Sequence, residues 1–287
     1  MSDLGLAARG QGNPQAALMK IISAVQKDSS FQSALDSTPD LEVFGVASLE
    51  QLDGCLDEQP DCALVDIGLP FATDLMVQLK TRIDGPSRDR LPILTVGESN
   101  GKQPLCVPDA HVQGASLAQI VETAKAIQFR RARQRRLFDQ ELSLRVPTVP
   151  ESVEKAGEIL DLFVHSAGYT EEDAVKLGTT IREALGNAAE HGNKNDPTRT
   201  IHVNFLRTSD RVTIVITDEG PGFDTDQFLS RASEVSALEH TRSRRENEAR
   251  PGGLGVYIMK QTCDSIVFNE SGNSIYLMKY LPGREPS

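Results

Sequence analysis

Tryptophan is absent from this chain of 287 residues, and aromatics account for only 5% of it. No apolar run reaches the roughly 18 residues that a membrane-spanning helix needs, so a helical membrane protein is not expected. The opening MSDLGLAARGQGNPQ has no charged start leading into an apolar core, so no cleaved leader is expected. Residues 1–15 read as a disordered lead-in, with cytoplasmic localisation as the default. Cysteine is sparse: Cys55, Cys62, Cys106 and Cys263 stand far apart, with no Cys-x-x-Cys pair and no histidines at metal-ligating spacing. That pattern argues against a zinc site or a disulfide framework. Positive charge is in deficit, since 30 Lys and Arg against 41 Asp and Glu leave a formal net charge of −11. Such a balance argues against direct nucleic-acid binding. The local exception, Arg130-Arg131-Ala132-Arg133-Gln134-Arg135-Arg136, reads as a solvated helix face or linker.

What is present suits a globular protein of roughly two domains, with 39% hydrophobic and 25% charged residues. From Leu18 short apolar runs alternate with amphipathic stretches. Strands are expected over Leu18–Val25, Leu41–Ala47, Cys62–Ile67 and Leu91–Val96, with a weak fifth at Leu105–Val107 or Ala110–Val112. Helices are expected over Ser29–Ser37, Leu49–Glu58 and Thr73–Ile83, and a long one from Ser116 to about Gln140. Alternation of this kind makes a parallel, doubly wound α/β sheet.

At Asp66-Ile67-Gly68-Leu69-Pro70 this region resembles a response-regulator receiver, in which an aspartate ending the third strand accepts a phosphoryl group. The resemblance is incomplete. The end of the first strand, where a pair of acids should hold magnesium, reads Ser23-Ala24-Val25-Gln26-Lys27. Gln113 stands where a lysine is expected, and Glu98–Pro104 is too short for the fourth helix. Phosphoryl transfer to a carboxylate needs a metal to neutralise the gathering charge, so Asp66 would be a poor acceptor. Residues 16–128 are read as a receiver-like (pseudo-receiver) domain used for protein contacts or dimerisation, and 129–140 as a connecting helix.

Residues 141–284 read as a second, α+β domain, with helices on one face of a mixed sheet. Strands are expected at Glu141–Val146, Ile201–Arg207, Arg211–Thr217, Ile266–Asn269 and Ser274–Tyr280. Helices are expected at Glu151–Ala167, after the cap Thr170-Glu171-Glu172-Asp173, and at Gly255–Thr262. The helix running through Ile181 to Asn193 would line up Glu183, Asn187 and His191 along one face, opposite an apolar stripe of Leu177, Ile181, Leu185 and Ala188. Asp218-Glu219-Gly220-Pro221-Gly222-Phe223 follows an apolar strand, and its glycines allow close approach to a flat ligand. Gly252-Gly253-Leu254-Gly255 opens a helix, whose N-terminus suits phosphate oxygens. Between these clusters, 224–251 is polar and arginine-rich, and reads as a mobile flap.

An asparagine helix, Asp-x-Gly-x-Gly and a second Gly-x-Gly, in that order, resemble the GHKL ATPases, and more closely the anti-sigma-factor serine kinases. The resemblance covers about Glu141 to Leu281. It implies ATP and magnesium as cofactors, with Asn187 binding the metal that bridges the phosphates. It further implies that Asp218 accepts from the adenine amino group, with Gly220 and Gly222 in the adenine loop and Gly222 below the ring. Gly253 and Gly255 would hold the phosphates, Arg250 would reach the γ-phosphate, and Glu183 would act as general base on an attacking hydroxyl. The expected function is a protein serine/threonine kinase acting on a STAS-type antagonist, with a sigma factor as second partner and a homodimer as assembly. The alternatives are a non-catalytic, nucleotide-dependent partner switch, or a histidine-kinase-like ATPase acting on a separate protein. Against self-contained histidine phosphorylation, Ser116–Gln140 holds no histidine, and His165 lies within the ATPase domain's own first helix. The flap is long for these kinases, and the simplest of them lack the fused first domain.

Overall fold

The computed structural model describes residues 18–26, 30–82, 91–97, 105–133, 138–223 and 254–284. Two five-stranded sheets organise them. The first is wholly parallel and is built from β1 (Met19–Ala24), β2 (Leu41–Gly45), β3 (Cys62–Asp66), β4 (Ile93–Val96) and β5 (Ala110–His111), in the order β2-β1-β3-β4-β5. This is one of the two common doubly wound orders. Helices α1 (Ser30–Asp36), α2 (Leu52–Asp57, entered through a 3₁₀ turn at Leu49–Gln51), α3 (Ala72–Thr81) and α4 (Leu117–Arg133) belong to the same unit. Its central strand runs Cys62-Ala63-Leu64-Val65, apolar at every position because both faces are covered. Ala63 and Val65 join one core with Leu52, Leu75 and Met76, whereas Cys62 and Leu64 join another with Leu35, Ile120 and Ala124.

The second sheet has the order β6-β7-β8-β10-β9, with β6 (Gln140–Pro147), β7 (Thr200–Arg207), β8 (Arg211–Thr217), β9 (Ser265–Phe268) and β10 (Ser274–Tyr280) all antiparallel to their neighbours. Its strands alternate, as a sheet covered on one face should. Leu142, Leu144, Val203, Phe205, Ile214 and Ile216 are buried, while Glu141 and Arg145 are exposed. Against the buried face lie α5 (Pro150–Ser166) and α6 (Glu171–Asn187), followed by α7 (Leu254–Thr262), which packs on α6. Phe163 of α5 meets Phe205 of β7 edge-to-face, with centroids 5.3 Å apart. The start of α6 is capped as the sequence suggests, Thr170 Oγ1 accepting from the Asp173 N–H at 3.2 Å.

Two expectations need revision. The helix expected to reach about Gln140 is described only to Arg133, residues 134–137 lie outside the described residues, and β6 already begins at Gln140, which pairs with Arg207. The two candidates for a fifth strand are both extended, but in different sheets. Ala110–His111 completes the parallel sheet beside β4. Leu105–Val107 instead lies along the outer edge of β6. The Val107 N–H donates to the Ser143 carbonyl and the Arg145 N–H to the Leu105 carbonyl, each at 2.9 Å, around a bridge between Cys106 and Leu144. Leu105 and Cys106 are buried in the core that continues into the second sheet. Asp74 of α3 also meets Lys155 of α5 at 3.0 Å, so helices of the two units are in contact as well.

An edge strand left bare is a template for unwanted pairing, and here the first unit covers it. Val107→Pro removes the donor to Ser143. It is expected to speed hydrogen exchange at the Arg145 amide while leaving the β6 amides that face β7 protected, as residue-resolved exchange would report.

Candidate functional site

The polar face of α6 sits against a buried one. Leu177, Ile181 and Leu185 are buried in the sandwich core, whereas Glu183 and Asn187 are half-buried. Among the described residues, no hydrogen bond or ion pair takes either side chain. Their neighbour Arg182 is engaged differently. Its guanidinium forms a two-pronged pair with Asp161 of α5, the Nη1–Oδ1 bond being 3.1 Å. Gly157 and Gly178 leave room for this pair, since a Cβ on the first would press on Arg182 and on the second would overlap Asp161. The pair ties α6 to α5 on the side away from the sheet core.

Past Asn187 the helix changes its bonding. Ala188–Gly192 is a π turn, and the Asn193 N–H reaches back five residues to the Ala188 carbonyl at 2.8 Å. Such widened turns recur at functional sites. The wider turn breaks the i+4 spacing that would align His191 with Asn187, and His191 is exposed. The expected three-residue line is therefore a pair, Glu183 and Asn187.

The widened turn ends where the Asp218 loop crosses it. A Cβ on Gly192 would overlap the Asp218 carboxylate, and one on Gly220 would overlap the Gly192 carbonyl. Asn193, 0% exposed, accepts the Glu219 N–H at 2.8 Å and donates to Thr148 Oγ1 at 2.8 Å. From the opposite side, the Asp218 N–H donates to the Asn273 carbonyl at 3.0 Å, and Asn273 Nδ2 donates to the Asp218 carbonyl at 3.1 Å. Asp218 Oδ1 accepts the Gly220 N–H at 2.8 Å. Burial pushes the Asp218 carboxyl up from its ordinary value, a rise opposed by the Gly220 N–H. Gly222 has a φ of +74°, and Phe223 stacks edge-to-face on Phe268 at 5.3 Å. The loop is thus held by the ends of α6 and of the β9–β10 turn, each through an asparagine.

Of the residues singled out from sequence, Glu183, Asn187, Asp218, Gly220 and Gly222 fall on α6 and the loop locked to its end. Gly255 lies in the first turn of α7, which packs on α6. Arg250, Gly252, Gly253 and the flap lie outside the described residues. Asp66 ends β3 in the other unit, where its Oδ1 accepts the Gly68 N–H at 2.8 Å. The side chain from the end of β1 that reaches this corner is Gln26, not an acid. Sequence reasoning gave no role to Asn193, Thr148 or Asn273. Asn193 and Asn273 each follow a glycine that leaves no room for a Cβ, Gly192 and Gly272, and a polar residue in that place was the signal available.

A groove of about 460 Å³ runs between the start of α5 and the end of α6, lined by Val153, Leu185, Gly186 and Ala189 among others. Neither Glu183, Asn187 nor Asp218 lines it, so it is separate from the polar face described above.

Gly222 offers a direct check on the loop. Alanine there would combine a left-handed φ with overlap of the Ser271 carbonyl oxygen. The conformational cost alone is about 1–3 kcal/mol, and Gly222→Ala is expected to lower the urea midpoint accordingly.

The family model described as "Histidine kinase-like ATPase domain" matches residues 146–279. The chain is similar to the serine-protein kinase RsbW of Bacillus subtilis (strain 168), at 31% identity over 143 residues, covering 50% of this chain and 86% of the relative. RsbW of Staphylococcus aureus (strain MSSA476) is 30% identical over 142 residues, covering 49% and 86%. Among solved structures, the SiaB-SiaC complex of Pseudomonas aeruginosa overlaps 56% of this chain and 99% of the other at 18% identity, with a TM-score of 0.38, too low to bear on fold or function. The motifs, the sandwich that carries them and the RsbW likeness agree: through its C-terminal half, the chain belongs to the histidine kinase-like ATPase family, alongside the RsbW serine-protein kinases.

Proposed function

We propose that this chain is an ATP-dependent protein serine/threonine kinase of the anti-sigma-factor type. It transfers the γ-phosphoryl group of ATP to a serine or threonine of a STAS-domain antagonist, and binds a sigma factor as its second partner. The observation that carries this reading is the pair Glu183 and Asn187. They stand one helical turn apart on α6, half-buried and unengaged among the described residues, in a helix whose end is locked to the Asp218 loop.

In this reading the ends of the nucleotide are held separately. Asp218 accepts from the adenine amino group, with Gly220 and Gly222 keeping backbone close to the ring. Gly253, Gly255 and Arg250 serve the phosphates. Asn187 would hold magnesium. The side chain fits that ion: its amide oxygen is a hard, neutral ligand, and it takes no hydrogen bond among the described residues. Magnesium takes few protein oxygens and keeps waters or phosphates for the rest. When bound, it offsets the charge of the phosphates. Glu183 takes the proton of the attacking hydroxyl. As it does so, the hydroxyl oxygen bonds to the γ-phosphorus, the bond from that phosphorus to the bridging oxygen breaks, and ADP leaves with the electron pair.

The domain assignment belongs to the same proposal, with residues 16–128 as pseudo-receiver, 129–140 as connector and 141–284 as kinase. The parallel order β2-β1-β3-β4-β5 and the place of Asp66 at the end of β3 support the receiver-like reading. Gln26 supports a regulatory role without phosphoryl chemistry at Asp66. Self-association would use the connector at 129–140, because the β6 edge is already paired. No helix among the described residues is long and apolar enough to cross a membrane, which is compatible with the proposed cytoplasmic location.

Two outcomes are expected. Glu183→Ala lowers phosphotransfer to the antagonist by about 10²–10⁴-fold with little change in nucleotide affinity, whereas Asn187→Ala lowers both, as radiolabel transfer and calorimetry would show. The second concerns pH. Because the folded-state pKa of Asp218 is raised, its contribution to folding stability is present at low pH and lost as pH rises through that pKa. The ionised carboxylate is the stronger acceptor for the adenine amino group, so affinity for Mg-ATP moves the other way. It falls as pH drops, starting above the ordinary aspartate value of about 3.9, and Asp218→Asn flattens that acid limb in calorimetric titrations.

A further inference from the structure

We propose that Asn193 is a positioning residue for base recognition: it sets the Asp218 loop against the end of α6 and thereby the preference for adenine over guanine nucleotides. The proposal rests on the reading of Asp218 as the adenine acceptor.

Asn193 is the one asparagine among the fully enclosed side chains of the described residues, at 0% exposure. A buried amide is costly unless its donors and acceptor are used, and this one is used in a particular way. Its Oδ1 accepts from the N–H of Glu219, the residue next to Asp218, at 2.8 Å. Its Nδ2 donates to Thr148 Oγ1 at 2.8 Å, and that hydroxyl donates on to the Arg199 carbonyl at 2.9 Å. Its own N–H closes the π turn at Ala188. Asn193 is therefore covalently the exit of the helix that carries Asn187, and by hydrogen bond the anchor of the loop that carries Asp218.

The opposite anchor, Asn273, ties Asp218 to the β10 side of the sheet. Asn273 fixes the loop relative to strands, whereas Asn193 fixes it relative to α6. The separation between the phosphate end of the site, at Asn187, and its base end, at Asp218, passes through Asn193. The packing around it leaves little alternative. Gly192 and Gly220 bring backbone so close that neither tolerates a Cβ, so the loop cannot settle nearer the helix if the amide is removed. It can only move away, leaving a part-buried N–H without its acceptor.

The chemistry of the base turns that displacement into lost selectivity. Adenine presents an amino donor where guanine presents a carbonyl, and a carboxylate held in place accepts the first and repels the second. A site built around one buried hydrogen bond discriminates strongly only while its partner is held in position. The triphosphate contacts do not depend on which base is present.

The test compares Mg-ATP and Mg-GTP dissociation constants for the full chain, by calorimetry or competition. The variants are Asn193→Leu, Asn193→Asp, Thr148→Val and Asp218→Ala. Asn193→Leu is expected to cut the ATP-over-GTP preference about tenfold, equivalent to ~1.4 kcal/mol, almost entirely through weaker ATP binding. Asn193→Asp keeps the acceptor for the Glu219 N–H and is expected to retain most of the preference. Thr148→Val removes the neighbouring hydroxyl and is expected to lower the unfolding midpoint while keeping the preference. An unchanged preference in Asn193→Leu, or an equal loss in Thr148→Val, overturns the positioning role. Should Asn193→Leu fail to fold, Asn193→Ser, too short to reach the Glu219 N–H, is read by the same criteria. Wild-type preference in Asp218→Ala, which leaves no acceptor, overturns the adenine reading and this proposal with it. Loss there with retention in Asn193→Leu overturns the positioning role alone.

Discussion

Backbone meets backbone where the widened end of α6 crosses the Asp218 loop, and the geometry of the candidate site depends on that crossing. Gly192 and Gly220 permit it by lacking a Cβ, and Asn193 holds it by hydrogen bonds on both sides of its amide. Each bond of this kind contributes only about 1 kcal/mol net, but losing one leaves a polar group unpaired at a cost of about 1–3 kcal/mol. That asymmetry lets a few polar contacts fix a geometry they do little to stabilise.

Stability comes from elsewhere. Leu177, Ile181 and Leu185 of α6 are 0–1% exposed, and burying a side chain of that size yields about 1.5–3 kcal/mol. Because the stripe lies on one side, its burial also turns the Glu183–Asn187 face away from the core. It does not choose where the last turn points. The Arg182–Asp161 pair, in the space left by Gly157 and Gly178, ties α6 to α5, and the π turn sets the exit. The apolar stripe therefore sets the helix face, and these polar and steric details set what the end of the helix meets.

The first unit is joined to this arrangement through Leu105–Val107 on the edge of β6 and through the contact of α3 with α5. α3 follows the strand that ends at Asp66, and α5 is the helix to which Arg182 clamps α6. A shift of α3 has a packed route to α6, which gives the proposed regulatory role of the first unit a physical path.

Much of this was legible in the sequence. The apolar run at Cys62–Val65 and the alternation in β6 and β8 follow from whether a strand is covered on two faces or one, a local consequence of burial. The order of Asn187, Asp218 and the second glycine cluster carried the resemblance to the GHKL ATPases, which the family model and the RsbW likeness bear out over the C-terminal half. What only the tertiary structure decided were relations between segments distant in the chain. Leu105–Val107 and Ala110–Val112 look alike as strands, and which sheet each joins depends on which edge lies within reach. The π turn that continues α6 brings Gly192 beneath the Asp218 loop, and no helical periodicity encodes that meeting. Asn193 and Asn273 showed only a glycine neighbour, and Thr148 nothing, because a polar side chain acquires its role from what is buried beside it, and burial is a property of the folded chain.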